Sequence, residues 1–433
     1  MAGMDRILGL AVGLCLVGAF LAGCEAPANR SEGTDPTPSS SEPAYEAVLV
    51  SGEGEEASEP AIAIGPDGRI LVAYVVKLGE AGDLYLRSFD PLKKETSIPV
   101  RVNQLQGQVK TWYGDPPTIT AGPGGKIYVG WTAKYPDGKR GTILYMSISR
   151  DGGASFDEPV RVNDDTQPAS HGMHSMAVAP DGRIYFAWLD ERYLKSKPAD
   201  ATPTPHGGHE NSNANSAPHP EEAEVEPNAE LYFAMSADGT SFEGKNRRLA
   251  SDVCPCCKTA TVISDKGRVA IGYRKVFNGD FRHIAVTSLN DFGDAWSQPV
   301  QVSDDGWRIN ACPVSGPALR WDGDELAIAW YSGGETGPRG IYASRSRDGA
   351  QTFEPRRLMA ETSGGGSPVW AAERLLWSSE GEVHTADVGN SNAAVSLGAG
   401  RNVVAAATSD GRAFRSFVLA MDDRKSVWLS WDQ

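Results

Sequence analysis

The chain has 433 residues, 56 acidic against 41 basic side chains, a net charge of -15 and only six cysteines. That acidity argues against nucleic acid as a partner, because a phosphate backbone selects a basic footprint. With hydrophobic residues at 40% the chain is long and apolar enough to bury a large core.

In chain order the first element is a leader, "MAGMDRILGLAVGLCLVGAFLAGC". Arg6 precedes an apolar run from Ile7 to Leu21, shorter than the roughly 20 residues a spanning helix needs and closed by small residues as in a cleaved signal peptide. "LAGC" at 21–24 resembles the lipobox of bacterial lipoproteins. The resemblance implies a signal peptide over 1–23, acylation of Cys24 and a membrane contact through that lipid, in the envelope of the cell. Glu25 follows instead of the aspartate that retains lipoproteins at the inner membrane, which points to the outer membrane in a Gram-negative source. Residues 24–44 then run through Pro, Ser, Glu and Thr with no large apolar side chain, the composition of a tether.

From 45 to 433 the sequence repeats. "GPDGRILVAY", "GPGGKIYVGW", "APDGRIYFAW", "SDKGRVAIGY" and "RWDGDELAIAW" each run from a tight turn into an apolar strand ending in an aromatic: Tyr74, Trp131, Trp188, Tyr273 and Trp330. A sixth copy, "SSEGEVHTAD", ends at Asp387. The spacings are 57, 57, 85, 57 and 57, the long one being a repeat plus an insertion of 28 residues. Two further strands follow each aromatic, so the expected fold is all-β: a six-bladed β-propeller of four-stranded antiparallel blades. "YEAVLVS" at 45–51 is expected to complete the last blade, with the terminal "SVWLSWDQ" competing for that place.

The turns before the fourth strands carry a further motif. "SRDGGASF" at 149–156 and "SRDGAQTF" at 346–353 match the Asp-box, with looser copies around Asp238, Asp291 and Asp410. An aspartate there accepts backbone N–H groups across the turn, and glycine tolerates positive φ. Asp-box repeats of this kind resemble the sialidase (neuraminidase) superfamily. The resemblance implies a sialidase-like propeller and a glycoside hydrolase or glycan-binding activity. Sialidases hold the substrate carboxylate with arginines, but Ser58 stands where the first of these belongs, and serine cannot form the bidentate fork. Charged residues for another glycosidase lie in "WLDERYL" (Asp190, Glu191, Arg192) and "YRKVFNGDFRH" (Arg274, Lys275, Asp280, Arg282, His283). Solvated loop charge and inter-blade salt bridges are the plainer reading of the same residues.

The lead-in loops of the third, fourth and fifth units hold the remaining chemistry. "DVCPCCKTA" contributes Cys254, Cys256 and Cys257, "HGMH" contributes His171, Met173 and His174, and "INACPV" contributes Cys312. In a propeller these loops open on one face. Thiolate, imidazole and thioether suit copper(I), and thiolate with imidazole also suits zinc. The insertion at about 193–228 adds His206, His209 and His219 in an acidic setting. Two disulfides tying Cys312 to the crowded loop are the alternative in an oxidising compartment, which would leave a stapled scaffold for a protein or glycan partner. Redox-active thiols are the third.

Overall fold

The computed structural model describes residues 45–79, 81–110, 112–194, 228–242, 244–289, 295–309, 313–387, 394–407, 418–423 and 425–432. Cys24, Cys312, His206, His209 and His219, with the signal-peptide and tether assignments, lie outside these residues.

The described strands form seven four-stranded antiparallel meanders. Their innermost strands are Ala57–Ile64, Thr118–Ala121, His171–Val178, Ala260–Ile263, Ala318–Asp322, Val369–Ala371 and Arg401–Ala406. Each innermost strand borders the next, and the seventh borders the first, so the ring closes as a β-propeller. The seventh blade is built from both ends of the described chain. Tyr45–Leu49 is its outermost strand, paired antiparallel with Val427–Asp432, and Val418–Asp422 lies inside that. The segments around 45–51 and at the C-terminus therefore share a blade instead of competing for one place.

The expected count of six blades is corrected by register. In four intact repeats the aromatic of the second strand stands directly opposite one on the third: Tyr74 and Tyr85, Trp131 and Tyr145, Trp188 and Tyr232, Trp330 and Tyr342. Their ring centroids lie 5.9–6.2 Å apart, within the range where such pairs stabilise beyond area burial. In the sixth blade this place belongs to Trp377, opposite His384 with ring centroids 5.7 Å apart. "SSEGEVHTAD" is thus the next hairpin along, joining Arg374–Ser379 to Glu382–Asp387. Its 57-residue spacing is fortuitous, and among the described residues the second strand of the seventh blade, Val418–Asp422, carries no aromatic.

The Asp-boxes close the third-to-fourth-strand turns as the motif requires. Asp151 Oδ1 accepts from Ser149 Oγ and the Ser155 amide, at 2.8 and 2.9 Å. Asp348 Oδ1 likewise accepts from Ser346 Oγ and the Thr352 amide, at 2.8 and 2.9 Å. Asp291 and Asp410 lie outside the described residues. Alternation along each meander puts these turns at one end of the ring and the lead-in loops at the other. Blades three and four are stitched at that other end, where Val253 pairs with Lys275. Glycine permits the close approach of blades four and five: a Cβ on Gly272 would collide with Leu319.

Candidate functional site

Immediately after Val253 the chain turns into the fourth blade. Asp252 adopts φ 57°, and the Cys254 amide donates to the Arg274 carbonyl at 2.9 Å. At the far end of the turn the Thr259 amide donates to the Met173 carbonyl at 2.9 Å. Held at both ends, the loop folds its three cysteines inward. Cys254 Sγ lies 3.8 Å from Cys256 Sγ and 3.7 Å from Cys257 Sγ, and all three sulfurs fall within 4.8 Å of one another. None is in a disulfide and all are buried; a disulfide would bring a pair to about 2.0 Å. Met173 packs in the same apolar cluster, with Val253, Tyr273 and the half-buried Trp112.

The three sulfurs are electrostatically unequal. Hydrogen bonds from the Cys256 and Cys257 thiols hold Cys254 well below the usual thiol range, and Arg282 and Arg274 add to them against the effect of burial. Burial pushes Cys257 up to about 12. The loop therefore carries one thiolate beside thiols, and Arg282 Nη1 donates to that thiolate at 3.3 Å. A thiolate is the form that binds metal or attacks an electrophile.

The other residues expected at this face divide between several places. His171 is buried away from the thiols: Nδ1 donates to the Thr142 carbonyl at 2.6 Å, and Nε2 lies 3.0 Å from Asp165 Oδ1. A β-bulge between Gly172 and Ser175, with Met173 at φ 54°, sends Met173 and His174 to opposite sides. His174 Nδ1 donates to Asp115 Oδ1 at 3.2 Å. The structure thus joins Met173 to the three cysteines and gives both histidines other partners.

Most of the charged residues considered for glycoside hydrolysis are structural. Asp190 is fully buried and accepts from Trp188 Nε1 and Arg192 Nη2 at 2.8 Å each, and from Arg192 Nε at 2.9 Å. Arg192 also pairs with Asp164 at 2.9 Å and lies 4.3 Å over the Tyr232 ring. Arg274 is fully buried; it donates to the carbonyls of Ser315, Tyr331 and Arg282 at 3.0–3.2 Å and stacks on Trp307. It clasps blade four to blade five. Arg282 and Asp280 differ: Arg282 spans from Cys254 to Asp280, 3.4 Å away. Asp280 lines a groove of about 750 Å³, together with Asp252, Lys275, Phe277, Phe281 and His283. One arginine therefore separates the thiolate from an open groove.

A second polar group gathers where the lead-ins of blades one to four meet, and most of it escaped the sequence reading. Glu59 enters from the first blade on a bulge at φ 58°, Asp115 from the second, His174 from the third and Lys258 from the fourth. Lys258 Nζ donates to the Pro116 carbonyl at 2.9 Å. Burial pushes the Glu59 carboxyl up to about 8 and brings Lys258 down to about 8. Burial also raises Asp115, but the hydrogen bond and charge of His174 outweigh it and hold that carboxylate below its usual range. The available signal was an acidic residue before proline, Glu59-Pro60 and Asp115-Pro116, opening successive repeats.

No family model matches the chain, and no curated protein matches it. Among solved structures an ulvan lyase, a polysaccharide lyase, shares the fold at TM-score 0.52 and 12% identity, over 89% of this chain and 96% of its own. The α-L-arabinanase of Penicillium chrysogenum aligns at TM-score 0.48 and 11% identity, over 89% and 96%. A Hadza microbial sialidase aligns at TM-score 0.45 and 14% identity, with 77% of this chain covering 66% of that one. The protein is a β-propeller. That likeness concerns architecture.

Proposed function

We propose that this propeller is a lipid-anchored envelope protein whose Cys254, Cys256 and Cys257 thiolates bind a soft metal ion, copper(I) ahead of zinc. The observation that carries the reading is three buried sulfurs within 4.8 Å of one another on a single loop. Metal–sulfur bonds of about 2.3 Å set tetrahedral ligands about 3.8 Å apart, close to the 3.7 and 3.8 Å separations here. Among the described residues the group holds three cysteine ligands and no histidine or carboxylate, with the Met173 thioether in the same apolar cluster. Soft thiolate and thioether donors favour copper(I) over zinc, which prefers a fourth strong ligand in structural sites. Charge agrees: three thiolates around a monovalent ion leave two negative charges, facing the guanidiniums of Arg274 and Arg282.

The protein's own groups prepare the site. The Cys256 and Cys257 hydrogen bonds, with Arg282 beside them, hold Cys254 low, so binding has fewer protons to displace. The apolar wall keeps water and hard ligands away. When bound, the ion would be held for storage or transfer, with the Asp280 groove as the side from which a donor or acceptor approaches. Metal analysis under reducing, anaerobic conditions tests this. Wild-type protein should bind one copper(I) with sulfur ligation in its X-ray absorption spectrum, and Cys256→Ser/Cys257→Ser should lose it. Equal copper in both, or none in either, rejects the reading.

A further inference from the structure

The three sulfurs that can ligate a metal can also bond to one another. Cys254 Sγ is the hub, 3.8 Å from Cys256 Sγ and 3.7 Å from Cys257 Sγ. Pro255 and Cys256 are the central pair of a tight turn, so Cys254 and Cys257 stand at its two ends. A β-turn holds such ends within about 7 Å between Cα atoms, and a disulfide needs about 4.4–6.8 Å. Closing the 3.7 Å gap to a bonded length of about 2.0 Å takes about 1.7 Å of side-chain movement. Cys254 with Cys256 would close a smaller ring across the rigid proline, and Cys256 with Cys257 the strained ring of adjacent residues. The turn therefore favours Cys254 with Cys257.

Arg282 decides which oxidant can act there. Its Nη1 donates to Cys254 Sγ at 3.3 Å, while Nε of the same guanidinium is buried with no hydrogen-bond partner among the described residues. An unmade buried hydrogen bond costs about 1–3 kcal/mol, and more for a charged group, so this N–H marks a place for a small polar guest beside the sulfur. The other end of the guanidinium lies 3.4 Å from Asp280, which lines the groove. Cys254 and Cys257 are fully buried and Cys256 is 5% exposed. A protein or a bulky disulfide is therefore kept from the sulfurs, whereas hydrogen peroxide is little larger than water.

We infer that Cys254 is a modification site for hydrogen peroxide, oxidised first and then resolved by Cys257 into a Cys254–Cys257 disulfide. The Cys254 sulfur attacks one peroxide oxygen and the O–O bond breaks, giving a sulfenic acid. The second oxygen leaves as hydroxide, which can accept from the Arg282 Nε–H, and takes a proton to become water. Cys257 then attacks the Cys254 sulfur; the S–S bond forms, the S–O bond breaks, and the oxygen leaves as water with the Cys257 thiol proton. One peroxide and two thiols thus give one disulfide and two waters. Cys256 is left reduced, one sulfur where the metal reading needs three, so on that reading peroxide empties the site. The oxidation itself does not depend on the metal.

The test treats the full chain, reduced and metal-free, with one equivalent of hydrogen peroxide, then alkylates it and maps the tryptic peptide Leu249–Lys258, which carries all three cysteines. In wild type the peptide should lose two hydrogens and fall from three alkylated cysteines to one, Cys256; this readout needs no variant to fold. Cys256→Ser should keep the disulfide and Cys254→Ser should lose it. Cys256→Ser/Cys257→Ser should leave a Cys254 sulfenic acid that dimedone traps. A loop still fully alkylated, a disulfide to Cys256 or Cys312 in place of Cys257, or oxidation at Cys256 alone would overturn the site. The oxidised protein should also lose copper(I) uptake, and dithiothreitol should restore it. Equal uptake before and after oxidation would overturn the coupling to the metal, whereas no uptake by either form rejects the metal reading and leaves the disulfide standing.

Discussion

Replacing Arg282 by glutamine isolates the contact that sets the state of the thiol loop. The side chain is mostly buried at 13% exposure, and its Nη1 donates to Cys254 Sγ at 3.3 Å. A hydrogen bond to a charged group contributes about 1.5–3 kcal/mol, and one pKa unit corresponds to about 1.36 kcal/mol. Losing it should raise the Cys254 pKa by about 1–2 units. The folded-state value is depressed, so the stability tied to this thiolate is present above the unfolded thiol's pKa and lost as pH falls through the folded one. Arg282→Gln should move that loss to higher pH. Ultraviolet thiolate absorbance of reduced, metal-free protein, followed against pH, reads the shift; Arg282→Lys should recover part of it. An unmoved titration in Arg282→Gln would mean that the neighbouring thiols alone hold the thiolate, and the proposed role of the arginine would fall.

Three further outcomes follow from the fold and the axial group. Trp377→Ala should cost about 3–5 kcal/mol in denaturant unfolding, because Trp377 is 2% exposed and fills the aromatic place of the sixth blade. Asp190→Ala should lower stability by about 1–3 kcal/mol, since it leaves the Trp188 indole N–H unpaired and removes one of Arg192's carboxylate partners inside the third blade; a stable variant would show these contacts to be dispensable. The Glu59 carboxyl is raised to about 8, so its contribution is fully present below the unfolded carboxyl pKa and declines as pH rises toward 8. Thermal melts of Glu59→Gln should therefore gain on wild type between about pH 5 and pH 8, the interval from just above the ordinary carboxyl value to the folded one.

What the sequence disclosed depends on how local each signal is. The Asp-box works within one turn, so Asp151 and Asp348 announce themselves and their hydrogen bonds are as expected. The aromatic of the second strand marks the first five blades, and in four of them it stands opposite another aromatic. Beyond them the signal fails for a physical reason: His384 fills the partner's place in the sixth blade, and the seventh is assembled from segments at opposite ends of the chain. The cysteine loop is legible because its three thiols fall within four positions of one turn. His174 was misplaced because it lies past a one-residue bulge after Gly172, which a strand period alone cannot reveal, whereas His171 precedes the bulge and is held by Thr142 and Asp165. The Glu59, Asp115 and Lys258 group is visible only once the ring is closed, since each residue comes from a different blade.

The joint blade also governs how the molecule is made. Tyr45 finds its place only opposite Asp432, so the first described strand waits, edge bare, until the last described strand has been synthesised. Non-local pairing of this kind slows folding and leaves an adhesive strand exposed meanwhile. A molecule cut short at its C-terminus would leave the opening strand without its mate, however intact the intervening blades.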